Sequence, residues 1–118
     1  MIGIDIIEVN RIEKVLEKWG ARFLDKVFTE KERAICEERI PPYSAFAARF
    51  AAKEASFKAL RPSRSVGWRD LEVLSDQQGR PFVIVHGNAK IELGKRSMCV
   101  SISHSDHYAI AVAAVLGE

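Results

Sequence analysis

At 118 residues, with 47% hydrophobic and 29% charged side chains and a formal net charge of +2, the chain has room for one domain and one core. That charge is too small to argue for nucleic acid or an anionic membrane surface, and no apolar run is long enough to span a bilayer. Asp5 and Glu8 break the N-terminal apolar run, so it does not read as a signal peptide, and Cys36 and Cys99 lack any metal-like spacing, which suits a reduced, cytoplasmic setting.

The chain opens on a strand, Met1 to Ile7, in which Ile2, Ile4 and Ile6 share one face and Gly3, Asp5 and Ile7 the other. Asn10, with Glu13 three residues on, reads as a capped helix start; Ile12, Val15, Leu16 and Trp19 follow at helical spacing, and Gly20 is a stop. Thr29 and Glu32 form a second capping box, for a short helix ending before Pro41-Pro42. A third helix is predicted over about 44–60, then a loop through Gly67. Strands are predicted over 68–74 and 81–85, joined by the turn Asp76-Gln77-Gln78-Gly79-Arg80, with a short helix over 88–95. A hairpin, 98–103 and 107–115 turned by Ser105-Asp106, closes the chain. One strand, three helices and then mostly strands argue an α+β domain over 1–118 with an antiparallel sheet. Both faces of the last strand are apolar, so both need cover, from the chain's own core or from a second subunit.

Asp5 lies in an apolar strand, where a carboxylate must be solvated, hydrogen-bonded or bound to a cation. Capping a helix and binding a metal fit it equally well. On the third helix Phe46, Phe50, Phe57 and Leu60 make an aromatic stripe, with Glu54 at its edge and Lys58 one turn beyond. Glu54 and Lys58 read as a surface ion pair, worth about 0.3–0.5 kcal/mol, or as catalytic groups. Lys53 falls on the aromatic side, where a lysine must snorkel or meet an anion. His104 ends a strand, as a structural hydrogen-bonding group or a ligand contact. Two carboxylates, a lysine and a histidine suggest a magnesium-assisted phosphate site. Arg11, Lys14, Lys18, Arg22 and Lys26, interleaved with Glu8, Glu13, Glu17 and Asp25, read as a solvated face or as a face for an acidic partner.

Three segments in order carry a resemblance: Gly3-Ile4-Asp5-Ile6 with Val9-Asn10-Arg11-Ile12; Arg49-Phe50-Ala51-Ala52-Lys53-Glu54-Ala55 with Lys58-Ala59-Leu60; and Ser101-Ile102-Ser103-His104 with Ala109. Together they resemble the holo-acyl-carrier-protein synthase family, the short, single-domain 4′-phosphopantetheinyl transferases. The resemblance implies that coenzyme A donates its phosphopantetheine arm to a serine of an apo acyl carrier protein, releasing adenosine 3′,5′-bisphosphate, in fatty-acid biosynthesis. It implies Mg²⁺ on Asp5 and Glu54, catalysis by Glu54 and Lys58, and coenzyme A contacts from Arg49, Lys53, Lys58 and His104. It also implies carrier-protein contacts from Arg11, Arg22, Phe23 and Lys26, and a homotrimer whose active sites are shared between neighbours. One stretch departs from the family pattern: Arg61-Pro62-Ser63-Arg64-Ser65-Val66-Gly67 stands where many relatives carry a glycine-rich loop. Arg61 and Arg64 read there as side chains reaching the 3′-phosphate of coenzyme A or as exposed loop arginines. Two other classes fit the same residues: a non-catalytic binding module for carrier protein or coenzyme A, and a Mg²⁺-dependent nucleotide pyrophosphatase. The two carboxylates kept beside Lys58 argue against the first, and the basic docking face against the second.

Overall fold

The computed structural model describes residues 1–117. β1 (Ile2–Glu8) runs directly into α1 (Val9–Trp19), followed by α2 (Ala21–Val27), α3 (Glu30–Glu37) and the long α4 (Tyr43–Leu60). A single 3₁₀ turn (Trp68–Asp70) leads to β2 (Leu71–Ser75), β3 (Pro81–Val85), α5 (Gly87–Leu93), β4 (Ser97–His104) and β5 (Tyr108–Leu116). β5 lies between β1 and β4 in an antiparallel three-stranded sheet, and β2 pairs with β3 in a separate hairpin. Asp5 stands opposite Ala111, which stands opposite Ile102; His104 stands opposite Ala109.

The α+β architecture is the expected one, with local differences. Among the described residues four helices, not three, precede β2. Gly20 (φ 51°) ends α1 and lets the chain turn straight into α2, so a stop signal works as a corner. Asn10 caps nothing, because α1 already begins at Val9. The Val9 amide donates to the His107 carbonyl (2.8 Å), so the sheet ladder passes into the helix without a capping side chain. The Thr29 box is present: the Glu32 amide donates to Thr29 Oγ1 (3.2 Å) and the Thr29 amide to Glu32 Oε1 (2.8 Å). β2 starts three residues later than predicted, after the 3₁₀ turn.

α4 crosses the sheet on an alanine face rather than on an aromatic stripe. Ala51, Ala55 and Ala59 of α4 are buried, as are Ala109, Ala111 and Ala113 of β5. Phe50 and Phe57 turn aside and pack on Trp68, at ring separations of 5.1 and 5.2 Å. Small residues on both sides bring helix and sheet close, and closest at Gly3. A Cβ at Gly3 would lie 2.1 Å from the Ala55 carbonyl oxygen and 2.7 Å from the Ala59 nitrogen.

Lys53 is a correction. Its side chain is fully buried, and its ammonium pairs with Glu32 Oε1 (2.8 Å) and donates to the carbonyls of Trp68 (3.0 Å) and Leu71 (2.6 Å). Three acceptors use the three ammonium protons, so none is left for coenzyme A. Burial lowers the Lys53 pKa, against the pull of Glu32. The other Glu32 oxygen accepts from the Val73 amide (2.7 Å), tying α3, α4 and β2 together.

Gly3→Ala should therefore destabilise the fold by about 1–3 kcal/mol or more, since backbone on both sides blocks the methyl. Thermal melting would read this as a fall of roughly 4 °C per kcal/mol. An unchanged melting temperature would disprove the close crossing.

Candidate active site

The Gly3 contact decides what Asp5 meets. Two residues along the same face of β1, Asp5 points toward α4, where Glu54 and Lys58 share a helix face at i,i+4. Lys58 Nζ donates to Asp5 Oδ1 (3.2 Å) and to the Ile4 carbonyl (2.9 Å). Lys58 thus pairs across 53 residues of sequence with Asp5. It makes no salt bridge to Glu54, its helical neighbour, among the described residues. Asp5 caps no helix; its described partner is a cation. Burial first, then the negative charge of Asp5, raises the Glu54 pKa above the usual carboxylate value, and Lys58 opposes them.

Asp5 and Glu54 open onto a cavity of about 360 Å³ that Arg11, Phe23 and Phe50 also line. Phe23 is half-buried in its wall, with its ring 6.0 Å from Phe50 and 6.1 Å from Phe28. Arg11 reaches it from α1, while Arg22 and Lys26 stand exposed on α2.

Arg49 and His104 lie elsewhere. They line a larger cavity, about 570 Å³, bounded by α3, the start of α4, the β2–β3 turn and β4. Arg49 Nη2 donates to Ser75 Oγ (3.3 Å), but its Nε is buried with no acceptor among the described residues. Arg39 shares this cavity, and sequence reasoning missed it. Its signal is faint: a charged residue just before Ile40-Pro41-Pro42. The two cavities sit toward opposite edges of the sheet, one beside β1 and the other beside β4. One chain therefore does not bring His104 to Asp5.

Arg61 ends α4 in a left-handed conformation (φ 49°), with its side chain exposed. Arg64 lies 3.5 Å from Glu92 Oε1, which also accepts from the amides of Ser63 (3.1 Å) and Arg64 (2.7 Å). This loop is pinned to α5 by the Glu92 carboxylate, and the hydrogen bond from the Arg64 amide, with those from Ser63, holds the Glu92 pKa below its usual value. Arg64 already has a partner; Arg61 has no salt bridge among the described residues.

The site fits a magnesium ion. Asp5 and Glu54 are two hard oxygen donors beside one lysine; burial and, after it, the Asp5 charge raise the Glu54 pKa, and a bound cation would relieve both. Mg²⁺ needs few protein ligands and completes its shell with water and phosphate oxygens. No cluster of three or more histidine, cysteine or carboxylate groups with metal-binding geometry exists among the described residues, which separates this site from an all-protein metal cage.

With strand carboxylate, helix carboxylate and lysine in place, comparison with known proteins gives the class. Residues 1–113 match the family model described as the 4′-phosphopantetheinyl transferase superfamily, and the chain belongs to that superfamily. A holo-[acyl-carrier-protein] synthase of Halothermothrix orenii is 45% identical over 99% of this chain and 95% of its own. One of Chlamydia trachomatis is 45% identical over 95% of each. Within the superfamily, then, the chain is a member of the holo-[acyl-carrier-protein] synthase family. Its fold is similar to that of the Helicobacter pylori synthase in complex with coenzyme A, with a TM-score of 0.87 at 30% identity over 98% of this chain and 100% of that one. It is also similar to the Bacillus anthracis synthase in complex with CoA (3′,5′-ADP), with a TM-score of 0.79 at 37% identity over 97% and 93%.

The raised Glu54 pKa has a stability consequence. Protonated Glu54 stabilises the fold below its unfolded pKa, and that contribution is lost as pH rises through the higher folded value. Glu54→Gln, neutral at every pH, should melt above the wild type at neutral pH, with the advantage vanishing below about pH 4. Melting curves across pH check this; a wild type that melts higher at pH 7 would contradict it.

Proposed function

We propose that this chain transfers the 4′-phosphopantetheine arm of coenzyme A to a serine of an apo acyl carrier protein, with Mg²⁺ as cofactor. The observation that carries this is the placement of Asp5 and Glu54 on one cavity, with Lys58 paired to Asp5, in a chain 45% identical to a holo-[acyl-carrier-protein] synthase. The serine oxygen bonds to the phosphorus on the pantetheine side of the pyrophosphate. The bond from that phosphorus to the bridging oxygen breaks, and adenosine 3′,5′-bisphosphate leaves. Asp5 and Glu54 would hold Mg²⁺, which when bound would supply positive charge to the pyrophosphate oxygens. Lys58 stands within reach of the same oxygens and adds positive charge. Lys58 donates to Asp5, so Glu54 is the freer proton acceptor lining the cavity and takes the serine proton through a water. Arg11, Arg22 and Lys26 meet the acidic carrier with Phe23 beside them; such charges chiefly set association rate and salt dependence.

Arg49 and His104, which line the larger cavity, hold the nucleotide end of coenzyme A. Because their cavity lies at the other sheet edge, one chain's Arg49 and His104 serve a neighbour's Asp5, Glu54 and Lys58 in a homotrimer. An uncovered apolar sheet face supports that assembly: Ile2, Ile4, Ile6, Tyr108 and Leu116 are each at least half exposed in the single chain. Arg61 remains a side-chain contact for the 3′-phosphate. We place the enzyme in the cytoplasm, in keeping with its two free thiols.

Apo acyl carrier protein incubated with enzyme, coenzyme A and Mg²⁺ should gain the phosphopantetheine mass. Chelator should abolish the gain, and Glu54→Ala should cut kcat roughly 10²–10³-fold. Nucleotide release without carrier, and no mass gain, would mark a pyrophosphatase instead. Native mass spectrometry should count three chains. Ile4→Arg should leave single chains with exposed, rapidly alkylated Cys99 and little transfer; a monomeric, fully active wild type would refute shared sites.

A further inference from the structure

Trp19 lies outside everything assigned above. Spacing with Ile12, Val15 and Leu16 places it with the core residues of α1, yet its side chain is 47% exposed at the end of the helix. The Lys18 ammonium sits 5.1 Å from the indole centroid, and the Arg22 guanidinium, across the Gly20 corner on α2, sits 5.8 Å from it. Neither cation has a salt-bridge partner among the described residues. The cations hold the ring in place by cation–π attraction and keep their hydrogen-bond donors free.

The position along α1 matters as much. With about 100° per residue, Arg11, Lys14 and Lys18 fall within about 60° of one another. Trp19 borders that stripe on one side, and Glu17 and Glu13 lie beyond it on the other. The stripe begins at Arg11, which lines the cavity of Asp5 and Glu54, and reaches Trp19 about 12 Å further along the axis. An indole rimmed by an ammonium and a guanidinium matches the residue types and layout of an interface anchor, with an apolar centre and charged rim.

We propose that Trp19, held between Lys18 and Arg22, is the anchor by which this enzyme grips an acidic surface of its carrier protein and a determinant of carrier affinity. This rests on the transferase reading above. Carboxylates of the carrier meet Arg11, Lys14, Lys18 and Arg22, and one apolar side chain among them packs on the indole. Such an occupant satisfies both the positive stripe and the ring; a purely anionic ligand would leave the ring in water.

Steady-state kinetics with apo carrier protein and coenzyme A test this. Trp19→Ala should raise KM for the carrier about tenfold or more while leaving KM for coenzyme A and the melting temperature unchanged. Trp19→Phe should recover most of the loss. A carrier with its acceptor serine changed to alanine should shift the indole emission of the wild type but not that of Trp19→Phe. An unchanged carrier KM in Trp19→Ala, or equal losses toward both substrates, would overturn the proposal. Absence of transfer by the wild type with an intact emission shift would sink the transferase reading alone; absence of both would sink the two together.

Discussion

The fold turns on the missing side chain of Gly3. Where β1 passes under α4, the space for a methyl group is already filled by the helix backbone at Ala55 and Ala59. The alanines of α4 and β5 carry the same close approach across the middle of the sheet. Because strand residues alternate in direction, a glycine at position 3 commits Asp5 to the same face, two residues along. Close packing at Gly3 thus fixes the separation between Asp5 and Lys58, and an active-site distance is set by a residue with no chemistry of its own.

The roll of α4 about its axis is set by a second contact. Lys53 and Glu54 are adjacent in sequence, so they point about 100° apart on the helix. Lys53 is held in the interior by Glu32 and two carbonyls, and that anchorage turns Glu54 toward the cavity. A buried ion pair is weak evidence for stability, since desolvation offsets most of its attraction. Its value here is orientational: Glu32 also accepts the amides of Thr29 and Val73, so one carboxylate aligns α3, α4 and β2.

In the proposed reading, a single chain holds two incomplete halves of a site. One half, beside β1, has the carboxylates and the lysine; the other, beside β4, has Arg49 and His104. The sheet face between these edges and away from α4 is apolar and uncovered. Both facts are what the proposed association of copies through that face would answer.

The sequence by itself determined what depends on near neighbours along the chain. The alternation of β1, the Thr29 cap, the i,i+4 placement of Glu54 and Lys58, and the closing hairpin at Ser105 are local patterns, and all appear in the fold. Ordered motifs also made the family legible before any contact was known. Only the tertiary structure decided which pattern faced which partner. Periodicity separated Ile2, Ile4 and Ile6 from Gly3, Asp5 and Ile7, but could not say that the isoleucines would be the exposed set. It placed Lys53 among aromatics without revealing Glu32, and paired Lys58 with Glu54 when its partner was Asp5. It gave Trp19 the spacing of Ile12, Val15 and Leu16, although the ring is exposed at the end of α1. Helical and strand periods are set by backbone geometry over a few residues, whereas burial and ion pairing depend on residues dozens of positions away, brought close only when α4 settles on the sheet.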